Sequence, residues 1–528
     1  MARSSRTVRF VIGAGVFAVW LTATLFAQLI DNNKAPNAAN GGIARALLSG
    51  PYPTEIFEGR NGTDPNTSLN VIRFDPFRAI RRGRQLFQRK FSQMEGQGPL
   101  TNDGFGDIEN DLSIGAGLSD SCAGCHGRPR GSAGFGGDVA TRPDSRDAPH
   151  LFGLGLKEML ADEVTTDLRA IRAAAIADAR RFGTQTRTLT SKGINYGTIR
   201  AFSNGVVDTS GVRGVDADLR VRPFFHHGGT ISIREFVVGA LKAEMGISSA
   251  GDPDLAAAQT GRVVTPAGMV LDGRIDRIEA PPSDEQNDIG TINQRAALVD
   301  FMEFYLLNYF KPGIGPIFTE TSAGRTRFQQ LGCASCHISD LTINRDRRVA
   351  DVETNFDLNQ SNPFNRLFAS ATTLLANPSS IGQAGVAKIP AFASFTVRNI
   401  FTDLKRHDLG PNFHERNYDG TTRTEFLTTP LWGVASTAPY GHDGRSANLT
   451  DVILRHGGEA QAARNAFAAL SFPARNEVLA FLASLVLFPP DDTASTLDPA
   501  NPGAAGYPQV GHGSIRLTGL FNNPNIVE

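Results

Sequence analysis

All four cysteines of this chain fall in two pentapeptides, Cys122-Ala123-Gly124-Cys125-His126 and Cys333-Ala334-Ser335-Cys336-His337. Two thiols one helical turn apart reach the two vinyl groups of one haem and form thioethers, and the adjacent histidine then lies under the iron as its fifth ligand. The pair of motifs implies two covalently attached c-type haems. Cys122, Cys125, Cys333 and Cys336 are the attachment points, and His126 and His337 the proximal ligands. Disulfides would suit an exported protein, and zinc would suit paired thiols, but neither explains a histidine directly after each pair.

The sixth ligands are less plainly marked. Small cytochromes c often use methionine, which raises the reduction potential. The last of the six methionines here is Met302, so no methionine follows the second motif. The candidates for its sixth ligand are His407, His414, His442, His456 and His512. His456 is favoured. Asn448-Leu449-Thr450-Asp451 reads as a capped helix start, and Arg455-His456-Gly457-Gly458 puts His456 on the last turn before a glycine stop. The plainer alternative is a cation near a helix C-terminus, a place that also suits histidine. An iron with two histidines has a lower potential than one with histidine and methionine.

The elements that must position these residues follow from periodicity and punctuation. Helices are expected over 78–89, 162–181, 293–310 and 324–331, and from Ser471-Phe472-Pro473 to about residue 487. The last should pack against the helix leading into the second motif, as a closing helix does in small cytochromes c. Residues 96–121 read as a Gly/Asp-rich loop before the first motif. Between 184 and 225, short β-like runs are divided by turns, Asn204-Gly205 being a good hairpin signal, and a second hairpin is expected over 263–275. Lys311-Pro312-Gly313 marks the domain boundary. The expected fold is mainly α, with two cytochrome c-like haem domains. The first, 28–312, is enlarged by loops and β-hairpin insertions; the second spans 313–490, and a Pro/Gly/Asn-rich peripheral tail occupies 491–528.

The chain has 528 residues, room for several domains, and its 41% hydrophobic and 20% charged content fits a folded protein. A formal charge of -1 gives no electrostatic reason to expect nucleic acid or an anionic membrane as a partner. Arg3, Arg6 and Arg9 precede an apolar run over 10–27, then the polar Asp31-Asn32-Asn33-Lys34. That is the layout of a secretory signal ending near Ala27, which makes the mature protein periplasmic. The run is also long enough for an uncleaved anchor helix, the one way a membrane enters this reading. Cleavage removes three arginines and takes the charge from -1 to -4.

The run from Thr429-Pro430-Leu431-Trp432-Gly433 through Ala438-Pro439-Tyr440-Gly441-His442-Asp443-Gly444-Arg445 to His456-Gly457-Gly458 resembles the bacterial di-haem cytochrome c peroxidase superfamily. It is especially similar to the branch called di-haem oxidoreductases or thiol oxidoreductases. Thr402-Asp403-Leu404-Lys405-Arg406-His407-Asp408 also matches that branch. The likeness spans 78–487, dense in the second half and patchy in the first. In the peroxidases the second haem's sixth ligand lies fourteen residues after the histidine of His-Asp-Gly, which implies His456 where they have methionine. Arg146-Asp147-Ala148-Pro149 resembles a segment that binds an interdomain calcium, implying Asp147 together with the carbonyls of Thr437 and Pro439. Ile233-Arg234-Glu235 with Ala243-Glu244-Met245-Gly246 resembles the segment carrying the distal acid/base, implying Glu244. An Asp in an ordinary turn and a solvated helix glutamate are the bland alternatives.

The chain departs from the family twice. The histidine that caps the first haem in many peroxidases would fall near Val139, where there is none, though His150, His226 or His227 could substitute. The tryptophan between the haems has no counterpart near 223–228, and Trp432 is the sole tryptophan outside the N-terminal apolar run. The resemblance therefore implies a periplasmic oxidoreductase of peroxidase type. Its first haem would bind peroxide or O2, and its second, with two histidines, would pass electrons from a donor. A non-enzymatic di-haem electron carrier and a di-haem oxygenase are the alternatives.

Overall fold

The computed structural model describes residues 67–74, 76–91, 97, 119–127, 133–136, 138–139, 146–247, 252–278, 292–308, 313–314, 317–349, 394–417 and 420–486. The N-terminal apolar run, most of the 96–121 loop, His512 and the tail lie outside them. Among the described residues no helix is long and apolar enough to cross a membrane.

Helices dominate, joined by small antiparallel sheets. In the first half they are α1 (Ser68–Phe74), α2 (Pro76–Gln88), α3 (Cys122–His126), α4 (Leu154–Phe182), α5 (Ile233–Ala243), α6 (Pro253–Ala258) and α7 (Ile292–Leu307). The second half has α8 (Thr319–Gln330), α9 (Leu449–Arg455), α10 (Gln461–Ala468) and α11 (Phe472–Ala483). The expected helix over 162–181 starts eight residues sooner, at Leu154, where Gly153 turns the chain with φ +70°. Its added turns carry Leu154, Lys157 and Glu158 into the interior, and their mixed character hid them from a periodicity reading.

The two expected β insertions are present. Gln185–Ser191, Ile194–Ala201 and Val207–Asp208 form a three-stranded meander, and Gly205 at φ +86° makes the Asn204-Gly205 turn. Leu189, Tyr196 and Ile199 are buried on its inner face, while the Tyr196 hydroxyl donates to the Asp403 carbonyl. The second insertion is the hairpin of Arg262–Val264 and Val270–Asp272.

Helix α7 runs through the middle of the first half. Phe301, Met302, Phe304, Tyr305, Leu306 and Leu307 are all buried, the all-round apolar character of a core helix. Helix α2 lies close against it because position 83 is glycine: a Cβ there would come 2.2 Å from the Phe301 carbonyl oxygen. In the second half α8 and α11 cross at Gly324, where a Cβ would meet the Glu477 carbonyl oxygen at 1.8 Å. Phe328, Phe401 and Phe481 pack edge-to-face around that crossing. The buried apolar residues form two clusters, but these do not part at residue 312. Leu341, Ile343, Val397, Ile400, Leu404 and Trp432 belong to the first cluster, so the core crosses the expected boundary. The physical reason is the antiparallel ribbon of Leu341–Ile343 with Phe395–Val397, whose buried side chains Leu341, Ile343 and Val397 pack into the first-half cluster.

One buried charge network ties the first half together. Arg234 on α5 is fully buried and pairs with Asp252, the N-cap of α6, at 2.5 Å, and with Asp300 and Glu303 of α7 at 2.9 and 2.8 Å. Burial works against its charge, but the three carboxylates outweigh this and hold its pKa well above the usual value. Burial likewise pushes Glu303 up to about 7. Removing the guanidinium leaves those carboxylates facing one another in the core. Arg234→Met is therefore expected to lower the unfolding free energy by about 3–5 kcal/mol, seen as a lower guanidinium midpoint; an unchanged midpoint would contradict this role.

Candidate functional site

Each Cys-x-x-Cys-His segment opens onto its own cavity. The first, about 390 Å³, is lined by Cys122, Cys125 and His126 and walled by Phe87, Phe152, Phe224, Phe236, Met302 and Leu306. The second, about 450 Å³, is lined by Cys333, Cys336, His337 and His456, with Phe328, Phe413, Phe467, Val478 and Leu482 among its walls. None of the four cysteines is joined to another in a disulfide. Ser121 caps α3, its hydroxyl accepting from Gly124 N–H at 3.1 Å, so the first motif leaves its loop as one helical turn. The second motif makes a 3-10 turn instead, over Cys333–Ser335, after Gly332 at φ +86°.

The two proximal candidates share one arrangement. His126 Nδ1 is 2.7 Å from the Pro149 carbonyl and His337 Nδ1 is 3.0 Å from the Phe401 carbonyl. A carbonyl can only accept, so Nδ1 carries the proton in each ring and Nε2 is the nitrogen left for a metal. Burial lowers both pKa values to about 4, against the pull of those carbonyls. Both rings are therefore neutral, the form a metal binds.

The described sixth-ligand candidates now separate by their partners. His407 is held at both nitrogens, Nε2 to Asp403 and Nδ1 to Glu459, each at 2.8 Å. Burial opposes its charge, but Asp403 outweighs this and raises its pKa, so it is an ion-paired imidazolium with no lone pair to give. Cys336, Asp403 and His407 do bring ligand atoms within 4.8 Å of one another, but a thioether at Cys336 would leave this group as an anchor beside the second cavity. His414 Nε2 pairs with Asp408 at 2.8 Å. His442 stacks on Phe426 and its Nε2 lies 3.4 Å from Glu415. His456 differs from these: its Nδ1 donates to the Val452 carbonyl at 2.6 Å, and burial lowers its pKa. It is the C-cap of α9, whose N-cap Asn448 accepts from Asp451 N–H as the sequence suggested. Phe413 packs edge-on at 5.3 Å, and Arg455 is tied to Asp443 and the Asn412 carbonyl.

The first cavity offers a different set. Glu244, the C-cap of α5, lines it, and its carbonyl accepts from Ser119 N–H at 3.1 Å. Of the proposed substitute caps, His150 has both nitrogens occupied. Its Nε2 donates to the Trp432 carbonyl at 3.0 Å and its Nδ1 accepts from Phe152 N–H at 3.2 Å. His226 Nε2 is 3.2 Å from the Asp147 carbonyl, and His227 stacks on Phe225 with ring centres 5.9 Å apart. Lys157 was missed by the sequence reading. It enters the cavity from the first turn of α4 with its ammonium 5.9 Å from the Phe224 ring, and burial lowers its pKa to about 8. Beside Glu158, Asp162 and Glu163 it reads as one more charge on a solvated helix, and only tertiary packing shows otherwise.

The two cavities share a wall that includes Pro149, His150, His226, Thr429, Pro430 and Trp432. The lone downstream tryptophan thus stands between them, its ring so close to Gly153 that a Cβ there would come within 2.6 Å. The proposed calcium contributors also meet at the second cavity. Asp147, Thr437 and Pro439 all line it, and the Asp147 backbone N–H donates to the His442 carbonyl at 2.9 Å.

These observations fit porphyrins. Each cavity is apolar, large enough for a cofactor, and presents two thiols and a neutral imidazole with a fixed tautomer. The comparisons with known proteins agree as far as they reach. Residues 364–485 match the family described as "Di-haem oxidoreductase, putative peroxidase". No curated protein matches the chain. Among solved structures it is similar to "Kuenenia stuttgartiensis Hydrazine Synthase Pressurized with 20 bar Xenon", with 12% identity over 76% of this chain and 94% of that one and a TM-score of 0.30, too loose a superposition to carry any inference. Residues 364–485, which hold His407, His442 and His456, are thus similar to the di-haem oxidoreductase family.

Proposed function

We propose that the mature protein is a periplasmic di-haem c oxidoreductase of peroxidase type, with an open first haem and a second haem held by His337 and His456. The carrying observation is the asymmetry of the cavities. The second presents two neutral imidazoles whose Nδ1 atoms are both tied to carbonyls. The first presents one such imidazole, faced by Glu244 and Lys157. A haem held by Cys122, Cys125 and His126 would supply the electrons for O–O cleavage, given a position that the protein leaves free for peroxide or O2.

In this reading the residues have separate tasks. Pro149 fixes His126 as a neutral donor. Glu244 takes the proton from the near oxygen of peroxide and returns it to the leaving one. The aromatic walls from Phe224, Phe236 and Phe87 keep bulk water out. Asp147, with the carbonyls of Thr437 and Pro439, would hold a calcium at the wall between the halves, oxygen donors being what that ion prefers. An electron donor outside the chain completes the cycle, and the N-terminal apolar run, cleaved or kept as an anchor, accounts for export.

The first test is a ferric protein titrated with cyanide after its mass has shown two bound haems. One cyanide per chain is expected. None would favour the electron carrier without catalysis, and protein lacking covalent haem would end the reading. His456→Ala should raise the stoichiometry from one cyanide to two by opening the second iron; a variant still binding one would remove His456 as the ligand. Glu244→Gln should keep cyanide binding but slow peroxide turnover by about 10²–10⁴-fold. Turnover at the native rate would take the acid/base role away from Glu244.

A further inference from the structure

The two proximal imidazoles are joined to each other through the protein. His126 Nδ1 donates to the Pro149 carbonyl at 2.7 Å. The next residue, His150, donates from Nε2 to the Trp432 carbonyl at 3.0 Å. The residue before Trp432 is Leu431, whose N–H donates to the Ile400 carbonyl at 3.1 Å. Adjacent to Ile400 is Phe401, whose carbonyl accepts from His337 Nδ1 at 3.0 Å. Four hydrogen bonds and three steps between sequence neighbours thus run from one proximal ring to the other. We propose that this path couples the oxidation states of the two haem sites, and that His150 is the positioning residue that closes it between the halves of the chain.

Two features make the path more than proximity. The first is that its polarity is fixed. Phe152 N–H occupies His150 Nδ1, so the proton must sit on Nε2, facing Trp432. Burial lowers the His150 pKa to about 4, which keeps the ring neutral and this tautomer in place. The second is that its far end is clamped. Phe401 has φ +56°, a conformation an aromatic residue adopts only when its surroundings enforce it. Ile400 N–H on the Ser339 carbonyl and Thr402 N–H on the Ile338 carbonyl hold that turn against the residues just after His337.

The physical content is short-range. With haem bound, one electron delivered to an iron by an external donor would make the imidazole that holds it a weaker Nδ1–H donor, and the carbonyl that accepts from that ring would relax. Linked hydrogen bonds polarise one another by about 10–30% per bond, and the short backbone steps pass small displacements along. No proton leaves any donor and no covalent bond breaks. The effect is reciprocal, because each site changes the other's equilibrium by the same factor.

This rests on two haems being attached, as proposed above, but not on the first iron being open. The experiment is a potentiometric titration of the full-length exported protein, following both haems. It reads the factor by which the state of one haem changes the reduction equilibrium of the other. That factor should be about fivefold or more in the native chain. His150→Phe removes the donor and should cut it to roughly half or less, with His150→Ala used if the phenyl ring does not pack. His150→Gln presents an amide N–H at a similar reach and should restore it. A His150→Phe or His150→Ala protein with both haems and the native factor overturns the coupling, as does a glutamine variant that behaves like phenylalanine. Protein with no covalent haem overturns this proposal together with the reading beneath it.

Discussion

A histidine can serve a metal only if one ring nitrogen is bare and the other is held, and this chain meets that constraint with backbone carbonyls. His126, His337 and His456 each give their Nδ1 proton to one, from Pro149, Phe401 and Val452. A carboxylate in that place would pull the ring toward imidazolate or, as at His407, trap it as a cation. A carbonyl fixes the tautomer at modest cost to neutrality, and burial lowers the pKa of all three rings. The rest of the structure must therefore hold three stretches of backbone at hydrogen-bond distance from three rings.

That demand explains where the fold is stiff. Phe401 cannot relax from φ +56° while its ring is wedged against Phe328 and Phe481, which themselves depend on the close crossing at Gly324. Val452 lies on α9, a short helix held at its start by Asn448 and at its end by Arg455 and by Arg464, which donates to the Leu454 carbonyl. On the first side, Leu151 N–H donates to the Ala133 carbonyl and Gly136 N–H to the Ala148 carbonyl, pinning the backbone around Pro149. The Arg234 network fixes α5 relative to α6 and α7, and so positions Glu244 at the end of α5.

The sequence was informative where chemistry lives in side-chain type and spacing, and silent where it lives in backbone. Cys-x-x-Cys-His names its own residues, and Asn448 with Gly457-Gly458 bracketed α9 to within a residue of its observed end at Arg455. The hairpins were legible because Asn204-Gly205 and the Val263 region carry turn chemistry. No pattern could reveal that the Pro149 and Phe401 carbonyls orient the His126 and His337 rings, since every residue carries the same backbone oxygen. The helix end and the resemblance already favoured His456, but only the structure shows why His407 is unsuited, with Asp403 and Glu459 holding both of its ring nitrogens. The expected boundary at residue 312 does not coincide with a division between the two buried apolar clusters. The helix before it ends at Leu307, but the end of a helix is not a break in the core.

The charges around the two cavities complete the asymmetry. Near the second, His407 is held between the carboxylates of Asp403 and Glu459. Near the first, Lys157 lies over an aromatic ring, with burial as the cause that lowers its pKa, while Glu244 approaches from α5. A site that only exchanges electrons gains from fixed surroundings that change little between oxidation states. A site that must take in and split a small oxidant needs groups able to give and receive protons within an apolar wall. In the proposed function the second cavity would be the first kind of site and the first cavity the other. The shared wall of His150 and Trp432 is where the hydrogen-bonded backbone of one half meets that of the other.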